Sequence, residues 1–296
     1  MSNPFAYKRI VVGTALRYSG QPAVLRAVNL AQRTDGAVTV VHAVDEGGTR
    51  AVDGAAHLPT SLAHAQAVLS RLQSAHPRLE AVRVIADRSW VGLPEVAREV
   101  GAQLVVIGSH VHSQLTALLG ATSDRILQRV PGDVLVVRSE AYNAADPPRD
   151  FRRILLATDL SAHGETAARR AAALAEVYGA ELVLLHVVDH FPTDRENDDI
   201  AREDEDPLEH QREVKAGKLR DLAERIGSPR AAVQVMSTTD SARHAVPDFA
   251  REVGADLVVT GSPAHSPLAA LLGSTAQAIV HHAPCDVLFV RNGGGL

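Results

Sequence analysis

The sequence predicts two tandem α/β domains, each built on an open, parallel five-stranded sheet with strand order 3-2-1-4-5. Three observations predict this class. The chain repeats itself, each half alternates short apolar β-branched runs with helical patterns, and the apolar residues are mainly Ala, Val and Leu. Aromatic residues make up only 3% of the 296 residues, and small aliphatic cores are typical of parallel sheets covered on both faces.

The repeat is visible as two gapless alignments of the chain with itself. Residues 104–138 align with residues 257–291 at a constant offset of 153, and residues 8–20 align with residues 152–164 at an offset of 144. The two offsets differ because the second half carries additional residues in its middle. The chain is therefore a duplication of one α/β unit.

The duplication sets the expected domain limits. We predict a first domain over residues 1–140, a linker over 141–150 and a second domain over 151–296. The linker contains two adjacent prolines and lacks apolar periodicity, which is typical of connecting segments.

The elements of the second half follow one another in a regular β-α order. Ser161 is the predicted N-cap of the first helix, which ends at Gly179, a residue suited to the left-handed conformation after a helix. Continuous apolar runs of four to eight residues predict strands buried on both faces. The predicted strands are 154–158, 181–188, 232–236, 257–261 and 286–290, and the predicted helices are 161–178, 207–226, 241–253 and 274–282.

Strand order 3-2-1-4-5 reverses direction between strands 1 and 4, and ligands of open α/β sheets bind at that switch point. The loop after strand 4 of the second half contains Gly261 and Gly273, and the latter is followed by Ser274 and Thr275. Free N–H groups and hydroxyls at a helix N-terminus form a natural seat for phosphate. The alternative is a tight turn followed by an ordinary helix cap.

The net charge, the lengths of the apolar runs and the cysteine count indicate which partners and which cellular compartment to expect. Net charge is −5 and the pI is about 6.3, so we expect no nucleic-acid partner. No long apolar run occurs, which predicts neither a signal peptide nor a membrane span. The single cysteine, Cys285, excludes an internal disulfide and favours a cytoplasmic protein.

The two loops resemble those of the universal stress protein family. That family carries a motif of Gly, two residues, Gly, nine residues and Gly-Ser/Thr after strand 4, which cradles the ribose and phosphates of ATP. An Asp after strand 1 recognises adenine, and HHAPCDVLFV (281–290) is similar to the family's last strand. The resemblance covers both halves and implies an adenine nucleotide alpha hydrolase-like fold in a tandem member of the UspE type.

The resemblance implies an adenine nucleotide, ATP or AMP, in the second domain, with Mg²⁺ accompanying ATP. The second motif glycine is replaced by Ala264, and Pro263 and Pro267 remove two amide donors from the loop. Each lost charge-assisted contact costs about 1.5–3 kcal/mol, which moves a micromolar site toward millimolar. The candidate cofactor-binding residues are Asp159, Val187, Gly261, Ala264, Gly273, Ser274 and Thr275.

The first half departs further from the family pattern. Ala15 replaces the adenine Asp, Val111 replaces the second glycine, and Ala121 replaces the serine. These residues resemble those of the branch that does not bind ATP. We therefore predict that the first domain binds no nucleotide.

The histidines do not predict a metal centre, because a zinc site needs three or four converging ligands. His42 and His186 occupy matched positions in strand 2 and are expected to be packed and hydrogen-bonded. The acidic stretch 189–210 is expected to be a solvated loop, and the alternative is a cation-sensitive lid or partner contact. Histidines and a cysteine considered as metal ligands are His110, His112, His265, His281, His282 and Cys285.

The resemblance implies a stress-response regulator. No catalytic motif is found, so no catalytic residue is assigned. The last strand of each half is an open edge that needs a partner, and the resemblance implies an internal pseudo-dimer and a homodimer. Two alternatives remain: a slow ATPase or other nucleotide-dependent enzyme using the second domain, or a protein- or lipid-interaction module that binds no nucleotide.

Overall fold

The computed structural model describes residues 5–16, 21–44, 62–109, 121–138, 148–161, 164–189, 207–238, 241–261 and 273–291. The chain divides into two compact units between Asp150 and Phe151. Within the described residues, no helix has the length and apolar character needed to cross a membrane.

The first unit is a parallel sheet with helices in its crossovers. Its strand order is β3-β2-β1-β4-β5, and every adjacent pair is parallel. The elements are β1 (Arg9–Gly13), α1 (Gln21–Thr34), β2 (Ala37–Ala43), α2 (Leu62–Ala75), β3 (Leu79–Ile85), α3 (Ser89–Glu99), β4 (Leu104–Ser109), α4 (Ala121–Arg129) and β5 (Asp133–Arg138).

The second unit repeats this arrangement with order β8-β7-β6-β9-β10, again with parallel neighbours. The predicted α/β class is thus confirmed. The bounds of β9, α8 and β10 equal the predicted ones, whereas β8 extends two residues further than predicted. The elements are β6 (Arg153–Ala157), α5 (Gly164–Tyr178), β7 (Glu181–Asp189), α6 (Pro207–Arg225), β8 (Ala232–Thr238), α7 (Ala242–Glu252), β9 (Leu257–Gly261), α8 (Ser274–His282) and β10 (Asp286–Val290).

The central strands are covered on both faces. Ile154, Leu155 and Leu156 are consecutive in β6, and each is completely buried. Consecutive strand residues point to opposite faces, so both faces of the sheet carry packed elements. The small aliphatic composition is what allows helices to approach the sheet from both sides.

A side-chain acceptor connects the two central strands of each unit at their amino ends. The Asp256 carboxylate, just before β9, accepts hydrogen bonds from the N–H groups of Arg152 and Arg153 at 2.7 and 2.9 Å. In the first unit the Gln103 side-chain oxygen accepts from the two N–H groups at the start of β1, at 2.7 and 3.2 Å. The two central strands of each sheet are therefore joined at their amino ends by the same kind of hydrogen bond.

Helix α5 ends as predicted but begins at Gly164, later than the predicted start at Ser161. The Ser161 hydroxyl oxygen accepts the N–H of Gly164 at 3.2 Å, which caps the first turn. Gly179 has a φ of +64°, the left-handed conformation that glycine adopts without a Cβ clash.

The predicted linker ends against helix α1. The side chain of Asp150 accepts a hydrogen bond from Asn29 Nδ2 at 3.0 Å, and the carbonyl of Arg149 accepts one from the buried Arg26 at 2.6 Å. The last linker residues are thus held by the first unit. Residues 141–147 lie outside the described residues.

Asp256→Ala should lower the free energy of unfolding of the second unit by about 1–3 kcal/mol, because two strand N–H groups lose their acceptor. Asp256→Asn keeps an oxygen acceptor and is the matched control. Urea unfolding followed by circular dichroism measures both. Equal losses in the two variants would contradict the acceptor role.

Candidate functional site

A cavity of about 360 Å³ opens at the carboxyl ends of β6, β7 and β9, and the starts of α5, α7 and α8 also contribute to its wall. This is the switch point of the second sheet, where strand order reverses between β6 and β9. The volume lies within the range typical of small-molecule sites.

The structure brings the predicted site residues together, although they are spread over more than a hundred positions of the chain. Six of the seven line this one cavity. Ala264 lies outside the described residues, as do Pro263 and Pro267, so the expected loss of loop donors stays a prediction. The six lining residues are Asp159, Val187, Gly261, Gly273, Ser274 and Thr275.

Asp159 sits in a tight loop that follows β6. Its Oδ1 accepts the N–H of Ser161 at 2.9 Å, and the side chain is exposed at the cavity. The loop is tightened by the N–H of Leu160, which donates to Thr158 Oγ1 at 3.1 Å while Leu160 adopts a φ of +60°. The carboxylate is thus held at the cavity by a hydrogen bond within its own loop.

The first unit has the same loop without the carboxylate. The N–H of Leu16 donates to Thr14 Oγ1 at 3.1 Å, and Leu16 has a φ of +55°. Ala15 stands where the second unit has Asp159. The two turns therefore have the same backbone shape, and only the second carries a carboxylate.

Gly164, the first residue of α5, lies against this loop. A Cβ at Gly164 would lie 3.0 Å from Thr158 Oγ1 and 3.3 Å from Asp159 Oδ1. A side chain at this position would require Thr158 or Asp159 to shift by a few tenths of an ångström.

His186 forms part of the cavity wall next to Val187 and is buried. Its Nδ1 lies 2.9 Å from the carbonyl oxygen of Thr158, and His42 makes the matching contact with Thr14 at 2.8 Å. A carbonyl only accepts, so Nδ1 carries the proton of this bond. The prediction of packed, hydrogen-bonded histidines at these positions is confirmed.

The start of α8 supplies a polar end to the cavity. Gly273 is its N-cap in extended conformation, with φ −62° and ψ 152°. Glycine has no side chain to accept the first N–H groups of the helix, so those of Ser274 and Thr275 remain available for an acceptor in the cavity. The predicted phosphate seat thus lies at a helix N-terminus that lines the cavity, and phosphate binding there stays a prediction.

Two arginines form ion pairs with Glu165, which follows the cavity-lining Gly164 in α5. Arg169 Nη2 lies 2.6 Å from Glu165 Oε1, and Arg225 Nε lies 3.5 Å from Oε2. The hydrogen bond from Arg169 lowers the pKa of Glu165 below its ordinary value, against the opposing effect of burial. Glu165 is therefore ionised at neutral pH, and its charge is balanced by α5 and α6.

Helix α7 contributes residues that the sequence analysis missed. Ala242 and Val246 reach the cavity because the crossover from the edge strand β8 to β9 passes over the centre of the sheet. Thr260, at the end of β9, adds a buried hydroxyl. The strand end could have been found by counting back from Gly261, whereas the helix residues depend on the packing of the crossover.

Two positions that line the cavity in the second unit carry larger aliphatic side chains in the first. Leu93 and Ile107 stand where the second unit has Val246 and Thr260, and both are buried. A Cβ added at Gly13 would lie 3.0 Å from Leu93 Cδ2. Leu93 thus packs closely against the end of β1.

Metal ligation finds no support in the described part of the chain, where no group of three or more His, Cys, Asp and Glu could hold an ion. Cys285 is buried, as expected from its place before a strand. His110, His112 and His265 lie outside the described residues. Of the acidic stretch, Asp189 closes β7 and residues 207–210 begin α6, while 190–206 lie outside the described residues.

Comparisons with known proteins agree with the duplication. The family model described as universal stress protein family matches residues 6–138 and 150–291. Universal stress protein A homolog 1 of Coxiella burnetii is 34% identical over 141 residues, which cover 47% of this chain and 96% of that protein. Universal stress protein E of Escherichia coli K12 is 24% identical over 306 residues, covering 96% and 94% of the two chains.

A solved structure shares the fold over nearly the whole chain. A functionally unknown protein from Pseudomonas aeruginosa PAO1 superposes with a TM-score of 0.70 at 18% identity, covering 97% of this chain and 93% of that chain. At this identity the likeness shows the fold alone.

Gly164→Ala should fail to stabilise the protein, because the added methyl group would press on Thr158 and Asp159. Gly217→Ala is the matched control: it lies inside α6, and no heavy atom of the described residues lies within 4 Å of a Cβ placed there. We expect Gly217→Ala to raise the free energy of unfolding by about 0.5–1 kcal/mol. Chemical denaturation measures both, and an equal gain in Gly164→Ala would contradict the close approach.

Proposed function

The chain belongs to the universal stress protein family, and we propose on this premise that its second unit binds an adenine nucleotide and that the protein is a stress-response regulator. The observation that carries the proposal is the cavity that joins Asp159 to the N-terminus of α8. These two features lie on elements that are distant in sequence and meet at one switch point.

The two ends of the cavity suit the two ends of a nucleotide. The exposed carboxylate of Asp159 is an acceptor for the amino group of adenine, and Val187 and Val246 offer apolar surface to the base. The first N–H groups of α8 favour a phosphate, because they are unpaired donors at the positive end of the helix dipole.

Among the described residues of the cavity, we assign one position to a phosphate group, the N-terminus of α8. This favours a ligand in which the first phosphate makes most of the polar contacts. We therefore propose AMP or ATP, with Mg²⁺ accompanying the additional phosphates of ATP. Pro263 and Pro267 have no N–H to donate, and Ala264 carries a Cβ where the family motif has glycine, so we expect affinity in the high micromolar range or weaker.

We propose a binding role in preference to an enzymatic one. Asp159 already accepts a backbone hydrogen bond, and His186 is held by Thr158 through Nδ1. Among the described lining residues, no hydrogen bond joins a nucleophile to a general base, which is the arrangement that covalent catalysis needs.

The first unit is proposed to bind no nucleotide. It has Ala15 where the second unit has the carboxylate of Asp159, and the larger side chains of Leu93 and Ile107 stand where the second unit has Val246 and Thr260. The homodimer that the resemblance implies stays a prediction, which analytical ultracentrifugation of the full chain checks.

Titration of the full chain with a fluorescent ATP analogue should show one site per chain. Asp159→Ala should weaken binding about tenfold or more, because the adenine amino group loses a charged acceptor. Asp87→Ala removes an exposed carboxylate from the first unit and should leave the affinity unchanged. Competition by unlabelled AMP, and by ATP with and without Mg²⁺, identifies the preferred nucleotide.

Two results would contradict this assignment. One is a stoichiometry of two per chain, which would place a nucleotide in the first unit as well. The other is unchanged affinity in both Asp159→Ala and Gly273→Val, since the second substitution places a β-branched side chain at the N-cap of α8.

A further inference from the structure

The first unit carries an arginine–tryptophan cluster that the nucleotide proposal does not use. Arg88 Cζ lies 5.5 Å and Arg125 Cζ 4.7 Å from the centroid of the Trp90 ring. Arg129 Nη1 donates to the carbonyl oxygen of Trp90 at 3.4 Å. That carbonyl is available because Pro94, four residues later in α3, has no N–H to donate.

The three guanidinium groups are exposed. Other arginines of this unit form ion pairs, such as Arg83 with Glu99 at 2.9 Å. Within the described ranges, no ion pair joins a carboxylate to Arg88, Arg125 or Arg129. The cluster therefore presents positive charge on a protein whose net charge is −5.

The cluster belongs to the first unit alone. At an offset of 153, the positions of Arg88, Trp90, Arg125 and Arg129 are occupied in the second unit by Ser241, Arg243, Ala278 and His282. The cluster therefore occurs in the unit that has Ala15 in place of the carboxylate of Asp159. The two units thus differ in their side chains: the second unit has the cavity, and the first unit has the arginine–tryptophan cluster.

We propose that Arg88, Trp90, Arg125 and Arg129 form a docking surface for an extended acidic segment of a protein partner. Guanidinium groups stacked on an aromatic ring keep their N–H edges free to bind carboxylates in pairs. Tryptophan and arginine are also the residues that dominate binding energy at protein interfaces.

The spacing of the arginines fits an extended peptide. Arg125 and Arg129 are one turn apart on α4, about 6 Å along the helix axis. Alternate residues of an extended strand are about 6.6 Å apart. Acidic residues at every second position of a partner segment would therefore meet successive arginines.

Charge around the cluster distinguishes a peptide from a nucleic acid. Asp87 precedes Arg88 and Asp124 precedes Arg125 in the chain. A continuous phosphate backbone would meet these carboxylates at close range, whereas a peptide places its acidic side chains only where an arginine receives them. The observations therefore favour a protein segment.

The test uses the full chain and a labelled peptide of five Glu-Ser repeats. Fluorescence anisotropy should show saturable binding that weakens with salt, and a Gln-Ser peptide of the same length should not bind. Trp90 is the single tryptophan, so its emission should change over the same concentration range. Arg125→Gln and Arg129→Gln should each weaken binding about tenfold.

Arg251→Gln is the matched control, because Arg251 is an exposed arginine of the second unit that pairs with Asp248. It should leave peptide affinity unchanged, as should Asp159→Ala, which tests the nucleotide site separately. The proposal is overturned if the Glu-Ser peptide does not bind at millimolar concentration. It is also overturned if a ten-nucleotide oligothymidylate binds more tightly, or if Arg125→Gln and Arg129→Gln bind as the parent protein does.

Discussion

The location of the cavity follows from one constraint, the reversal of strand order between the two central strands of a parallel sheet. Crossovers on either side of β6 and β9 leave in opposite directions, so the loops at their carboxyl ends separate and a crevice opens. The alignment of these strands is anchored at the opposite end by Asp256, which accepts two N–H groups at the start of β6. Every residue of the candidate site depends on this alignment for its position.

The two units share a backbone turn and differ in the side chains around it. The turns at Leu16 and Leu160 have the same hydrogen bond and nearly the same φ, so backbone geometry does not require the carboxylate of Asp159. The difference lies in side chains, with Ala15 in place of the acid and Leu93 in place of Val246. Leu93 is buried, and burial of a larger aliphatic side chain contributes to stability independently of any ligand.

Much of the fold was predictable because it depends on local signals. Periodicity and turn residues predicted the bounds of β9 and α8 to the residue, and Gly179 marked the end of α5. The contribution of Val246 could not be predicted this way, since it depends on how the α7 crossover packs over the sheet. The same holds for the pairing of Trp90 with Arg125, which brings together side chains 35 positions apart.

A ligand in the second unit would contact the N-terminal ends of three helices, α5, α7 and α8, at once. Binding energy would then depend on the relative positions of these helices, so occupancy would favour one arrangement of them over others. Weak binding would suit a regulatory role. A ligand stabilises the arrangement that it binds by an amount that grows with the logarithm of its concentration relative to Kd. A site whose Kd is near the cellular concentration of the ligand therefore responds to changes in that concentration. On the proposed function, a regulator would need this response more than tight binding, so the two prolines of the loop, Pro263 and Pro267, would be compatible with it.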